Sequence, residues 1–112
     1  MDVLRAAAGD GEATSYELSG GTLRVVGPIG YDLNPQFRAK CDELLASDAK
    51  DLVLDLSMVL YLSSSHLGVL ARLMTQAAEA KKTVLVRTNK KAARVLALAG
   101  IDRLGRIEVV GD

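Results

Sequence analysis

Tryptophan is absent from this chain, aromatic residues make up only 4% of it, and there is one cysteine, Cys41. A single cysteine excludes an internal disulfide and a cysteine-based metal cluster. His66 is the only histidine, so a His/Cys metal site is not expected either. Basic and acidic residues number 14 each and the formal net charge is zero. With no basic excess to neutralise phosphates, nucleic acid is not an expected partner. No apolar stretch reaches the ~18–20 residues that cross a bilayer, so no membrane span is expected. Met1-Asp2-Val3-Leu4-Arg5 lacks the basic-then-apolar order of a signal peptide. Gly20-Gly21 and Gly27–Gly30 resemble neither a phosphate loop nor a dinucleotide fingerprint, so no cofactor is expected. These absences describe a soluble, cytoplasmic protein.

What remains is aliphatic. Hydrophobic residues make up 49% of 112 positions, enough for one domain with a core of its own. Residues 1–14 are rich in Ala, Gly and acid and read as a flexible N-terminal segment, with the domain over 15–112. Tyr16-Glu17-Leu18 and Leu23–Val26 flank Gly20-Gly21, the pattern of a tight hairpin. Asn34 and Pro35 are placed as N-cap and first residue of a helix whose apolar face is Phe37, Cys41, Leu44 and Leu45. Leu52–Leu56 is short and apolar apart from Asp55, which suits a strand covered on both faces. Leu67, Leu70, Ala71, Met74, Ala77 and Ala78 trace one stripe of a long helix. Thr83–Val86 is a further strand, and Thr88 or Asn89 can cap a helix carrying Ala92, Val95, Leu96 and Ala99. Gly100 stops that helix, and Ile107–Val110 is a last strand. The order β-β-α-β-α-β-α-β predicts an α/β fold, a mixed sheet with parallel crossovers after the hairpin and helices packed against it.

The chemistry-bearing stretch is Tyr61-Leu62-Ser63-Ser64-Ser65-His66-Leu67-Gly68. It lies between a strand and a helix, where open α/β sheets build their sites and where free amides and the helix dipole favour negative charge. A hydroxyl there can cap the helix, worth about 1 kcal/mol, or accept a phosphate carrying about −1.5 to −2 charge near pH 7. A Ser–His catalytic pair is not expected, because neighbours in a helix's first turn diverge; His66 reads as exposed or partner-facing. Cys41, on the apolar face of its helix, reads as a small buried hydrophobe.

Asp51–Gly68 resembles the central segment of STAS-domain anti-sigma-factor antagonists. The matching residues are Asp55-Leu56-Ser57, Tyr61-Leu62, Ser64-Ser65 and Leu67-Gly68. Thr83–Val86, then Ala92, Val95 and Leu96, then Gly100-Ile101, is similar to the family's later strand, helix and turn. Ser63 stands where that family carries Asp, His66 where it carries Gly, and Gly27-Pro28-Ile29-Gly30 where it carries an acidic segment.

The resemblance implies a STAS-like fold and a partner switch. An unphosphorylated antagonist binds an anti-sigma factor that is also a serine kinase; phosphorylation releases it, and a serine phosphatase resets the cycle. Such a protein is a kinase substrate and no enzyme. The position that corresponds to the phosphorylated serine is Ser64, with Ser65 the second candidate and Ser63 the third. The implied partner surface comprises Gly30, Asp32, Ser63, Ser64, Ser65, His66 and Gly68, on a monomer or weak dimer. Two alternatives stand beside it. One is a non-phosphorylated STAS scaffold whose switch motif has degenerated. The other is a small-molecule site at the helix N-terminus.

Overall fold

The computed structural model describes residues 15–27, 34–59 and 62–111. The N-terminal segment 1–14, Gly30, Asp32 and Tyr61 lie outside the described residues. Five strands form one sheet in the order β1-β2-β3-β4-β5: β1 is Ser15–Ser19, β2 Thr22–Val26, β3 Asp51–Met58, β4 Thr83–Thr88 and β5 Arg106–Val109. The helices are α1 Asn34–Leu45, α2 Ser64–Glu79 and α3 Lys90–Leu98. β1 and β2 are antiparallel, and every later pair is parallel. The mixed α/β sheet is therefore the one the element order predicts. A short 3-10 turn at Ile101–Arg103, which that order lacks, follows Gly100, whose φ of 79° ends α3 in the left-handed region.

The hairpin turn depends on its two glycines for different reasons. Gly20 takes a φ of 58°. At Gly21 a Cβ would come within 2.5 Å of the Ala49 Cβ, and its carbonyl accepts a 2.7 Å bond from the Val53 amide. A side chain at Gly21 would push β1 and β2 off the start of β3.

One face of the sheet carries Leu23, Val25, Leu52, Leu54, Leu56, Val84 and Val86 into a single aliphatic core. Phe37, Cys41 and Leu44 of α1, Leu70, Met74 and Ala77 of α2, and Ala92 and Leu96 of α3 close it from above. Burial of Cys41, with a smaller push from Asp42, raises its thiol pKa to about 12, so it stays protonated and packs as a hydrophobe.

Among the described residues the other face is open, which corrects the expectation that β3 is covered on both sides. Leu52, Leu54 and Leu56 are buried, whereas Val53, Asp55 and Ser57 are only half-buried. The short apolar run resembled a doubly covered strand because residues 52–54 read Leu-Val-Leu without a polar break. A row of charges crosses the open face in register, Glu17 beside Arg24, Arg24 beside Asp55, Asp55 beside Arg87, and Arg87 beside Glu108. The row alternates in sign, and its outer pairs meet at 4.0 Å (Arg24–Glu17) and 3.0 Å (Arg87–Glu108). Cross-strand neighbours of opposite charge support a sheet by a few tenths of a kcal/mol to about 1 kcal/mol each.

Candidate functional site

β3 ends by turning on its own side chains. The Ser57 amide and hydroxyl both donate to Asp55 Oδ1, at 3.0 and 2.7 Å. Burial pushes the Asp55 carboxyl up, but the two Ser57 bonds and the guanidiniums of Arg87 and Arg24 outweigh it and hold the pKa below its ordinary value. Beyond Ser57, Asn89 ties the segment down: its Nδ2 donates to the carbonyls of Ser57, at 3.3 Å, and Val59, at 2.8 Å. The same side chain accepts from the Ala92 amide at 2.8 Å and so caps α3. Of the two residues considered for that cap, Asn89 fills it, and the Thr88 side chain is buried instead.

The start of α2 is a capping box. Ser63, extended at φ −86° and ψ 169°, is the N-cap. Its hydroxyl accepts from the His66 amide at 3.4 Å, and its own amide donates to His66 Nδ1 at 3.1 Å. An Nδ1 that accepts this N–H is unprotonated, so the neutral ring carries its proton on Nε2. Histidine here performs the reciprocal role that Glu or Gln performs in the usual capping box.

Both members of the box are buried, Ser63 to 3% and His66 to 0% exposure. The His66 ring stands edge-on to Phe37 at 5.6 Å between centroids. This corrects the expectation of an exposed or partner-facing His66: the imidazole belongs to the core and offers no surface to a partner. The sequence did hold a signal for it. His66, Leu70, Leu73, Met74 and Ala77 fall at i, i+4, i+7, i+8 and i+11, and these are the buried residues of α2.

Ser63 Oγ and His66 Nδ1 are 2.8 Å apart, the distance of a nucleophile and its base. The contact is nonetheless a cap, because the hydroxyl is out of solvent and the ring nitrogen also accepts the Ser63 amide.

Ser64 and Ser65 project the other way. Both are exposed at the first two positions of α2, and Ser65 Oγ lies 3.4 Å from Ser63 Oγ. Gly68, one turn on, is exposed, with open space around its Cα. Of the sequence-predicted site residues, the structure therefore brings Ser64, Ser65 and Gly68 to the surface and takes Ser63 and His66 into the interior. A separate cavity of about 620 Å³, lined by Asp51, Met74, Lys82, Leu104 and Arg106 among others, opens at the opposite end of the parallel strands, near their first residues. Among the described residues no cluster of three or more His, Cys, Asp or Glu side chains could hold a metal. No described helix is long and apolar enough to cross a membrane.

A five-stranded mixed sheet with helices on one face, and a loop-to-helix junction at the C-terminal end of its central strand, defines a STAS-type domain. The family described as MlaB, STAS domain, matches residues 13–110, and the chain belongs to it. No curated protein matches the chain. Among solved structures, an anti-sigma factor antagonist from Mycobacterium paratuberculosis is similar at 25% identity and a TM-score of 0.76, over 94% of this chain and 92% of that one. The Bacillus cell fate determinant SpoIIAA, solved in its phosphorylated form, is similar at 14% identity and a TM-score of 0.63, over 87% and 92%. SiaC of Pseudomonas aeruginosa, solved with the diguanylate cyclase SiaD that it activates, is similar at 21% identity and a TM-score of 0.57, over 90% and 93%.

Proposed function

We propose that this domain is an anti-sigma-factor antagonist switched by phosphorylation at Ser64. With Ser64 unmodified it binds an anti-sigma factor that is also a serine kinase. Phosphate on Ser64 releases it, and a serine phosphatase restores binding. The domain is the kinase's substrate and performs no catalysis of its own.

The observation that carries this reading is the split within one helical turn. Ser63 and His66 are locked inside while Ser64 stands open at the first position of α2. A phosphate there meets the positive end of the helix and leaves the core untouched. The charge therefore acts on whatever docks at this end of the molecule. Ser65 is the second acceptor; Ser63, with its hydroxyl in the cap, ranks last. The docking surface of this reading comprises Ser64, Ser65 and Gly68, together with Gly30 and Asp32, which lie outside the described residues.

A second reading rests on the similarity to SiaC, which was solved on a diguanylate cyclase. Under it the same end of the domain docks a partner of another class, and its serines serve as contacts only.

Purified protein incubated with its cognate kinase and ATP, followed by intact mass and site mapping, separates the two. The first reading expects one phosphate on Ser64, none on Ser64→Ala, and at least a tenfold loss of kinase binding on modification, about 1.4 kcal/mol. Binding that persists with Ser64, Ser65 and Ser63 all unmodified leaves the second reading standing.

A further inference from the structure

The outer edge of β5 points to a second partner surface. β5 pairs with β4 alone, and no described strand lies on its other side. The Val110 amide donates to the Thr88 carbonyl at 2.7 Å, so the backbone groups of Val110 turn toward β4. Direction alternates along a strand, which turns those of Arg106 and Glu108 the same way and those of Ile107 and Val109 outward. Arg106 and Glu108 project from the open face, both exposed, and Arg106 forms no ion pair among the described residues. Leu104, two residues before this strand, and Val109, its last residue, are 45% and 50% exposed.

We propose that this edge binds a second copy of the chain, with the two β5 strands antiparallel and Ile107 on the two-fold axis. Ile107 and its counterpart then exchange both outward-facing hydrogen bonds. Arg106 comes opposite the Glu108 of the second copy, and Glu108 opposite its Arg106, at the non-hydrogen-bonded positions where side chains approach most closely. The interface is isologous and closes as a dimer, because the pairing uses up the edge on both copies.

Charge selects this register. A two-fold on Glu108 would set carboxylate against carboxylate, and a parallel in-register pair would set Arg106 against Arg106. A two-fold on Val109 would set Glu108 against Val110 and leave it without a counter-ion. The opposite edge of the sheet has no such solution: Glu17 is the only charged residue of β1, so no self-pairing there supplies a counter-ion.

Sedimentation equilibrium over a wide concentration range tests the proposal. Wild-type protein is expected to pass from monomer to dimer as concentration rises. Arg106→Glu and Glu108→Arg are each expected to weaken the dimer by about tenfold or more, and an equimolar mixture of the two to form a heterodimer about as readily as wild type pairs with itself, because the two acidic side chains of one copy then meet the two basic ones of the other. The double reversal is expected to recover dimerisation. Val109→Pro removes an outward N–H without touching the β4 ladder and is expected to weaken the dimer while thermal melting shows the fold retained. A wild-type chain that stays monomeric at millimolar concentration overturns the proposal. So does a Val109→Pro protein that is folded and dimerises as wild type does.

Discussion

α2 and α3 begin in the same way and present opposite chemistry. Each follows the C-terminal end of a parallel strand, β3 for α2 and β4 for α3, and each is capped by a polar side chain that accepts the amide three residues on. At α2 the cap is sealed inside with His66, and the exposed residues of the first turn are Ser64 and Ser65. At α3 the cap is half-buried Asn89, and the exposed residues are Lys90 and Lys91. Lysines at a helix N-terminus face the positive end of the dipole and add a fixed charge. Serines leave that end neutral and modifiable. Equal backbone geometry thus yields one junction that presents neutral hydroxyls and one that presents ammonium groups.

Breaking the α2 cap from inside is expected to have the largest effect. His66→Ala empties a fully buried site beside Phe37 and removes the acceptor of the Ser63 amide, and urea unfolding is expected to show a loss of roughly 3 kcal/mol. Asn89→Ala, which breaks the α3 cap, also frees the Ser57 and Val59 carbonyls; roughly 2 kcal/mol is expected in the same measurement. Hydrogen exchange of that variant should rise at the end of β3 as well as in α3, since one side chain serves both.

A smaller pair sharpens the contrast within α2 itself. Ser63→Ala is expected to cost about 1 kcal/mol as a lost cap. Ser64→Ala is expected to stay within about 0.5 kcal/mol, as an exposed substitution should. Equal losses at the two positions would mean that the turn is not divided into a structural and a free hydroxyl.

The smallest effect concerns the strand that feeds α2. Because the folded-state pKa of Asp55 is depressed, its contribution to stability is present above the unfolded value, near 3.9, and is lost as pH falls through the lower folded value. Asp55→Asn should flatten that part of the acid limb of a stability-versus-pH curve and leave the neutral region almost unchanged in shape.

Local pattern carried much of this protein. The glycine pair of the hairpin, the helical spacing of Phe37, Cys41 and Leu44, and the alternation of strands and helices each express a backbone period, and a period is visible in one dimension. The serine run was equally legible as a junction. What stayed hidden was direction. In the first turn of a helix, neighbouring side chains diverge by about 100°, so a one-residue difference in phase decides which hydroxyl is a cap and which faces water. His66 was misplaced because a polar residue beside three serines resembles surface; its spacing to Leu70 and Met74 said otherwise.

The sequence by itself determined the order of elements, the aliphatic core and the strand-to-helix junction at which three hydroxyls gather. Only the tertiary structure decided that Ser63 and His66 close on each other beneath Phe37, that Asp55 sits between two arginines from other strands, and that one face of the sheet stays open. Those outcomes depend on residues far apart in the chain meeting across strands, and no local period encodes which partner arrives.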